Sequence, residues 1–316
     1  MVVSLISKNF FEEKVLTPSF FCVGAQKAGT TALYDWLVQQ PDVCLPVIKE
    51  THFFSHDERY KRGLDWYFKQ FPKMNGDAVI GEIDPEYMFF EDVPLRMREL
   101  VKAPRIVFVL RNPLDRAYSH YLMSVRRGYE DLPYADALLA EQERLAQNEN
   151  EFSLNHQSYI ARGRYCTQIR RFRNIFPDSE FLFVKFEDLI GRDSGLLTYE
   201  KICHFIGVRS SPLLADRSKK SNQASVPRYA FLRDFLYKRS SSSILGKLIT
   251  SKDLKLRIAM FLDSLNRKPI SGNVSSFGDQ VPSKIVKMCD EEIADLGYLT
   301  GLDLSDWLAR NRRMKE

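Results

Sequence analysis

The sequence has few cysteines, and none of them forms a pair at metal-ligand spacing. The five that occur lie far apart along the 316 residues, at Cys22, Cys44, Cys166, Cys203 and Cys289. An odd number of scattered cysteines indicates neither a disulfide framework nor a cysteine-ligated zinc site. We therefore expect reduced thiols and a cytoplasmic location.

Long apolar runs and a strong excess of one charge are also missing. No stretch reaches the roughly 18 consecutive apolar residues that mark a membrane-spanning helix, and the N-terminal residues lack the uninterrupted apolar core of a signal peptide. The 46 basic and 41 acidic residues give a net charge of +5. This charge is compatible with an anionic ligand but too small to indicate a nucleic-acid partner. Nothing in the sequence predicts an oligomeric state.

The chain does contain enough apolar sequence, 44%, to bury a substantial core. Short apolar runs of strand composition lie at 20–23, 78–80, 105–110 and 181–186. Helical patterns separate them, and later ones lie at 133–145, 158–176 and 282–296. This alternation predicts an α/β, P-loop-like three-layer fold with a central, mainly parallel sheet flanked by helices. We expect a single domain over 1–316, with an N-terminal extension at 1–18 and a loop-rich segment at 210–280 that covers substrate or donor.

The first strand leads into a glycine loop and then an amphipathic helix, in the stretch FFCVGAQKAGTTALYDWL. Backbone N–H groups of such a loop, with the start of the following helix, can surround a phosphate. The loop is not that of a nucleotide triphosphatase, because Gly29 is followed by Thr30 and the only lysine, Lys27, lies inside the loop. A tight turn without a ligand is the alternative. The candidate donor-binding residues here are Gln26, Lys27, Ala28, Gly29, Thr30 and Thr31.

A second anion site is indicated by the stretch LRNPLDRAYSHYL. Arg111 ends a buried strand, and Ser119 lies about two turns into the following helix, where its hydroxyl can face the strand end. A guanidinium and a hydroxyl that converge at the carboxyl ends of parallel strands can hold an anion. The alternative is that Arg111 merely caps the helix and pairs with Asp115.

The stretch PVIKETHFFS places three chemically active side chains, Lys49, Glu50 and His52, among apolar residues. A carboxylate in such surroundings suits a general base, and a neighbouring lysine or histidine can orient it. The alternative is that Glu50 simply pairs with Lys49. His52 and His56 are four residues apart, as metal ligands can be, but no third ligand is evident in the sequence, and we expect no metal.

Taken together, these segments resemble the sulfotransferases that use 3′-phosphoadenosine 5′-phosphosulfate, especially the branch of heparan sulfate sulfotransferases and their bacterial relatives. The resemblance covers most of the chain and follows the family's order. It rests on the stretches GAQKAGTTALYDWLVQQPDV, KETHFFS, YKRGLDWYFKQFP, GEIDPEYMF, RIVFVLRNPLDRAYSHYL, RGRYCTQIRRFRNIFP, FLFVKFEDL and GLDLSDWL.

The resemblance implies a role for each candidate. Lys27 contacts the oxygen between the sulfur and the 5′-phosphate and stabilises charge as that bond breaks. Arg111 and Ser119 match the pair that holds the 3′-phosphate of the donor. Glu50 matches the general base that takes the proton from the acceptor, and His52 matches a supporting histidine. The co-substrate is the phosphosulfate, the product is adenosine 3′,5′-bisphosphate, and no metal takes part.

Two further donor-binding candidates come from later segments. Tyr165 lies in RGRYCTQIRRFRNIFP, and Arg228 ends KKSNQASVPR at 219–228, which we take as the segment covering the phosphate or gating the substrate. A solvated basic loop is the alternative for 219–228.

Three features depart from the family's pattern. In many heparan-type enzymes the segment after the third strand reads E-K-T-P-x-Y-F, but Ile83 stands at the position of its active-site lysine. Ser55 stands where an aspartate often follows H-F-F, and the C-terminal disulfide hairpin of those enzymes has no cysteine pair here. The first departure argues against a highly sulfated glycan as acceptor.

The sequence therefore predicts a sulfotransferase that moves a sulfuryl group to an acceptor hydroxyl by in-line displacement. The expected acceptor is a carbohydrate, a glycolipid or a small natural product. One alternative is a P-loop kinase, against which stand the missing lysine after Gly29 and the absence of an acidic strand end for magnesium. The other is a catalytically inactive module that binds the phosphosulfate or the bisphosphate.

Overall fold

The computed structural model describes residues 17–72, 78–146, 151–211, 225–227, 267–269 and 281–308. Nearly all of the expected N-terminal extension and most of the expected covering segment, including Arg228, lie outside these residues. The division of the chain into one domain with these two segments stays a prediction.

A five-stranded sheet forms the centre of the fold, and all of its neighbouring strands run parallel. Its strands are β1 (Phe20–Gly24), β2 (Val43–Cys44), β3 (Val79–Ile83), β4 (Arg105–Leu110) and β5 (Phe181–Lys185). They lie in the order β2-β3-β1-β4-β5. The predicted α/β fold with a central parallel sheet is confirmed, and β2 is an additional edge strand that the sequence pattern did not reveal.

Helices connect the strands, as parallel pairing requires. They are α1 (Thr30–Leu37), α2 (Asp57–Tyr60), α3 (Gly63–Phe68), α4 (Val93–Leu100), α5 (Pro113–Arg126), α6 (Tyr134–Ala146), α7 (Glu151–His156), α8 (Tyr165–Ile175), α9 (Phe186–Ile190), α10 (Ser194–Ile206) and α11 (Ser283–Thr300). A separate antiparallel pair is formed by β6 (Ser225–Pro227) and β7 (Arg267–Pro269). None of the described helices is long and apolar enough to cross a membrane.

The sheet is buried on both faces because helices cover both. All five residues of β1 are buried, and the last five of β4 are buried as well. The main core joins the sheet to residues of α1, α4, α8 and α10. A smaller cluster joins α5, α6 and α11 through Leu114, Leu138 and Val286.

Helix α5 leaves the end of β4 at a well-capped start. The side chain of Asn112 accepts hydrogen bonds from the N–H groups of Leu114 (3.0 Å) and Asp115 (3.3 Å), and Pro113 occupies the first helical position. This cap fixes the direction in which α5 leaves the sheet.

The helix predicted at 158–176 is wrong in its first part. A short 3-10 turn (Ala161–Gly163) precedes α8. The carboxylate of Glu141 accepts the N–H groups of Ile160 (2.7 Å) and Ala161 (2.8 Å), so these groups do not enter an α-helical ladder. The last helix, in contrast, continues past the predicted end at 296 and stops at Gly301, whose φ of 73° suits a glycine C-cap.

Candidate active site

Candidate site residues follow the carboxyl ends of four neighbouring strands, and three of these strands lead to residues that the sequence predicts for the site. The glycine loop follows β1, the segment with Glu50 follows β2, the segment with Asp84 follows β3, and Arg111 follows β4. In a parallel sheet these ends lie at one edge, which is where ligands of α/β proteins bind.

The glycine loop has two residues in the left-handed region of backbone space. Lys27 has a φ of 71° and Gly29 a φ of 88°. A Cβ atom at Gly29 would lie 3.0 Å from the ring of Phe186, so a larger residue would have to displace that ring as well as adopt this φ. Gly29 is the N-cap residue of α1 and has no side chain that could accept a hydrogen bond. The first N–H groups of the helix therefore remain available to an anion.

The Lys27 ammonium lies in cationic surroundings. Its Nζ is 3.8 Å from Sδ of Met123 on α5. Burial, followed by the positive charges of Arg126, Arg127 and Arg111, lowers the pKa of Lys27 to about 7. These cations are half-buried, and a cluster of this kind, whose lysine is forced towards neutrality, is stabilised by a bound anion.

Arg111 reaches back to the glycine loop. Its Nη1 donates a hydrogen bond to the Lys27 carbonyl at 3.1 Å, and its guanidinium lies over the Phe186 ring at 4.5 Å. The Tyr165 hydroxyl donates to the Arg111 carbonyl at 2.9 Å. Tyr165 thus holds the backbone at Arg111, and Arg111 holds the loop.

Ser119 lies on α5, four residues before Met123 and therefore on the same side of the helix. It is half-buried. The contact between Met123 and the Lys27 ammonium brings this side of α5 to the loop. No described contact joins the Ser119 hydroxyl directly to the other candidates.

Glu50 has two basic neighbours. Lys49 Nζ contacts its Oε1, and His52 Nε2 lies 3.9 Å from its Oε2. The Glu50 side chain retains 32% of its exposure, so it can be reached from solvent. The pairing with Lys49 that was the simpler alternative does occur, and it is compatible with proton transfer because the carboxylate is not buried.

His52 is held in a left-handed backbone conformation by Asp84, the residue after β3. Its backbone has a φ of 51°, and its N–H donates to Asp84 Oδ2 at 2.8 Å. Burial by itself lowers the pKa of His52, but the carboxylates of Asp84, Glu86 and Glu50 outweigh it and raise the pKa to about 9. The imidazole is therefore protonated at neutral pH.

Glu86 is the main site residue that sequence reasoning missed. Its Oε1 accepts a hydrogen bond from Gln26 Nε2 at 3.4 Å, and its Oε2 lies 3.1 Å from His56 Nε2. Burial by itself raises the pKa of Glu86, but the hydrogen bond with His56 and the positive charge of Arg162 outweigh burial and lower this pKa to about 2. Glu86 thus joins the glycine loop to the histidines. Glu86 lies in the stretch GEIDPEYMF, where its spacing to neighbouring residues does not mark it as part of a site.

A buried hydrogen-bond network fixes Thr51, the residue between Glu50 and His52. The Thr51 hydroxyl donates to Glu82 Oε1, and Glu82 also accepts from Tyr67 (2.8 Å) and Tyr87 (3.0 Å). All four side chains are fully buried. The network ties the segment after β2 to β3 and limits the movement of Glu50 and His52.

Comparisons with known proteins agree with this arrangement. The family model described as "Sulfotransferase domain" matches residues 17–227. Heparan sulfate glucosamine 3-O-sulfotransferase 3B1 of Homo sapiens is 29% identical over 192 residues, which cover 61% of this chain and 46% of that protein. Heparan sulfate glucosamine 3-O-sulfotransferase 5 of Mus musculus is 30% identical over 174 residues, 55% of this chain and 49% of that protein. The chain spans less than half the length of these relatives.

A solved structure gives a wider match. The sulfotransferase from Alicyclobacillus acidocaldarius superposes with a TM-score of 0.64 at 26% identity, covering 93% of this chain and 99% of that one. The similarity therefore extends beyond the glycine loop to the whole arrangement of sheet and helices.

Proposed function

The chain belongs to the sulfotransferase domain family and is a sulfotransferase, and from this premise we propose that it takes the sulfuryl group from 3′-phosphoadenosine 5′-phosphosulfate and transfers it to an acceptor hydroxyl. The observation that carries the choice of donor is the half-buried cationic cluster around the glycine loop. Lys27 and Arg111 meet there through the 3.1 Å hydrogen bond to the loop carbonyl. A donor with phosphates at both the 5′ and 3′ positions would neutralise both cations.

The donor would be held by backbone and side chains together. The loop N–H groups at 26–31 and the start of α1 would bind the 5′-phosphate. Arg111 and Ser119 would bind the 3′-phosphate, with Tyr165 fixing the backbone of Arg111. Lys27 would lie next to the bond that breaks and stabilise the charge left on the bisphosphate. A single phosphosulfate needs no lysine of the Walker type.

The acceptor would be activated by Glu50. Its partly exposed carboxylate would take the hydroxyl proton as the oxygen attacks sulfur in line with the leaving bisphosphate. Lys49 and His52 would hold the carboxylate and balance its charge. The buried Thr51–Glu82 contact would keep this base in a constant position.

The acceptor is proposed to be a neutral hydroxyl compound: a carbohydrate, a glycolipid or a small natural product. The curated relatives are named for heparan sulfate glucosamine. Here, however, Ile83 is buried at the position of the heparan-type lysine, and β3 is followed by two buried acidic residues, Asp84 and Glu86. Their charges face His52 and Arg162, so the end of β3 offers an anionic acceptor little attraction. The cytoplasmic location stays a prediction.

Two measurements test the proposal. Calorimetry should show that adenosine 3′,5′-bisphosphate binds without magnesium and that ATP with magnesium does not. Labelled donor, incubated with extract of the native host, should then yield a sulfated product that mass spectrometry identifies. Binding without transfer to any hydroxyl or amine acceptor would favour the catalytically inactive module instead, and binding of magnesium-ATP alone would contradict the donor assignment.

A further inference from the structure

A cluster of two histidines and two carboxylates lies between the glycine loop and the base segment. His52 Nδ1, His56 Nε2 and Glu86 Oε2 all lie within 4.8 Å of one another. Glu86 Oε2 is 3.1 Å from His56 Nε2 and 3.6 Å from His52 Nδ1. Asp84 Oδ2 is 3.0 Å from His52 Nδ1. Glu86 is therefore the third ligand that the sequence did not reveal, and the Asp84 side chain meets these three ligand atoms only at His52.

These separations suit a tetrahedral metal ion. Bonds of about 2.0–2.1 Å from zinc to nitrogen or oxygen place neighbouring ligand atoms roughly 3.3 Å apart. The two separations from Glu86 Oε2 to the ring nitrogens, 3.1 and 3.6 Å, fall on either side of that value. We propose that His52, His56 and Glu86 form a binding site for a divalent transition-metal ion of the Zn²⁺ type, with the fourth position left to solvent.

The state of His52 Nδ1 is an independent observation for the site. This atom is buried and makes no hydrogen bond of adequate geometry, although Asp84 Oδ2 is only 3.0 Å away. A buried ring nitrogen that lies among carboxylate oxygens without bonding properly to one is suited to a ligand between them. On binding, the ion would take the place of the proton on the His52 ring, and the charges of Glu86 and of the nearby Asp84 would partly balance it.

The surroundings would orient the ligands, as they do in established metal sites. Gln26 Nε2 donates to Glu86 Oε1 and leaves Oε2 for the ion. The Glu86 N–H donates to Asp84 Oδ1 at 3.1 Å, which leaves Asp84 Oδ2 on the side of His52. His52 would bind through Nδ1 and keep Nε2 towards Glu50.

One ring has to turn when the ion binds. The rings of His52 and His56 are stacked, with centroids 5.0 Å apart and planes at 18°, whereas the lone pairs of both must point at the ion. His56 immediately precedes α2, and its side chain is 29% exposed, so it has the space to rotate. His52 is held by Asp84 through its backbone and stays in place.

The test is titration of the metal-free full chain with Co²⁺, whose visible absorption reports tetrahedral coordination. We expect one site per chain. His56→Ala should weaken binding by at least about 10- to 100-fold, the loss that follows removal of even an outer-shell partner in metal sites. His204→Ala is the matched control, because His204 is an exposed histidine near the end of α10. It should bind as the unaltered chain does.

Both variants change partly or fully exposed side chains and should fold, which circular dichroism checks. The proposal is overturned if Co²⁺ gives no tetrahedral spectrum, or if His56→Ala binds as tightly as the unaltered chain. A spectrum that is lost in His204→Ala and retained in His56→Ala also overturns it. The readout involves no sulfotransfer, so its failure leaves the proposed enzymatic function untouched.

Discussion

Lys27 should make binding of the bisphosphate depend on pH. In the empty site its pKa is lowered to about 7, but a bound phosphate dianion favours the ammonium and should raise the pKa above about 9. Above pH 7, therefore, Lys27 must take up a proton when the bisphosphate binds. Each pH unit costs about 1.36 kcal/mol, so affinity should fall about tenfold by pH 8 and about 100-fold, or 2.7 kcal/mol, by pH 9.

Calorimetry with adenosine 3′,5′-bisphosphate in two buffers of different ionisation enthalpy measures both the affinity and the proton uptake. The phosphates are almost fully ionised above about pH 7.5, so they contribute little to the change. Lys27→Arg is the matched control, since its guanidinium stays charged throughout and its affinity should not vary. A constant affinity of the unaltered chain between pH 7.5 and 9, with no proton uptake, would refute the assignment of Lys27 to the phosphate site.

Three further changes test other parts of the site and the fold. Glu50→Gln should lower turnover by about 10²- to 10⁴-fold, while calorimetry shows unchanged bisphosphate binding. The control is Glu58→Gln, which changes an exposed residue of α2 and should retain activity. Near-normal activity of Glu50→Gln would remove Glu50 from the role of base. Gly29→Ala should lose bisphosphate binding, because its Cβ would lie 3.0 Å from the Phe186 ring. The control is Gly63→Ala: Gly63 has a similar φ and open space around it, so this variant should lose only about 1 kcal/mol of unfolding free energy to backbone strain. Equal bisphosphate binding by the two variants would contradict the packing argument. Glu141→Gln should lower the unfolding free energy by about 1–3 kcal/mol, because an amide cannot accept both backbone N–H groups. Burial raises the pKa of Glu141 to about 7, so folding favours its protonated carboxyl. The unfolding free energy of the unaltered chain should therefore exceed that of Glu141→Gln most at about pH 4.5 and below, and the difference should shrink as pH rises to 7 and the buried group ionises. Denaturant unfolding of both forms across this range measures the difference, and a pH-independent difference would contradict the reasoning.

The strand pattern was largely predictable because buried parallel strands are continuous apolar runs. The run at 105–110 coincides with β4, and that at 20–23 differs from β1 by one residue. The edge strand β2 has only two residues, Val43 and Cys44, which is too short to form a pattern. The break before α8 depends on Glu141, about twenty residues earlier in the chain, and a local helical pattern carries no information about such a partner.

In the candidate site, too, residues that lie together in a short stretch were predictable, whereas a residue whose role depends on distant partners was not. The loop around Lys27, the step from Arg111 to Ser119 and the Glu50 segment each occupy a short stretch, so residue types and spacing were sufficient to select them. Glu86 was not selected, because its role depends on Gln26, sixty residues earlier, and on His56, thirty residues earlier.

The sheet order explains why these distant residues meet. β1 lies between β3 and β4, so the glycine loop has the acidic segment after β3 on one side and Arg111 on the other. β2 lies on the side of β3 that faces away from β1. The segment after β2, with Glu50 and His52, therefore meets Asp84 and Glu86 from the side opposite the glycine loop. A motif therefore identifies which residues can act on a donor, whereas the order of the strands decides which of them touch. Glu86 lies where these two kinds of information join, because it contacts both the loop that would hold the donor and the histidines beside the proposed base.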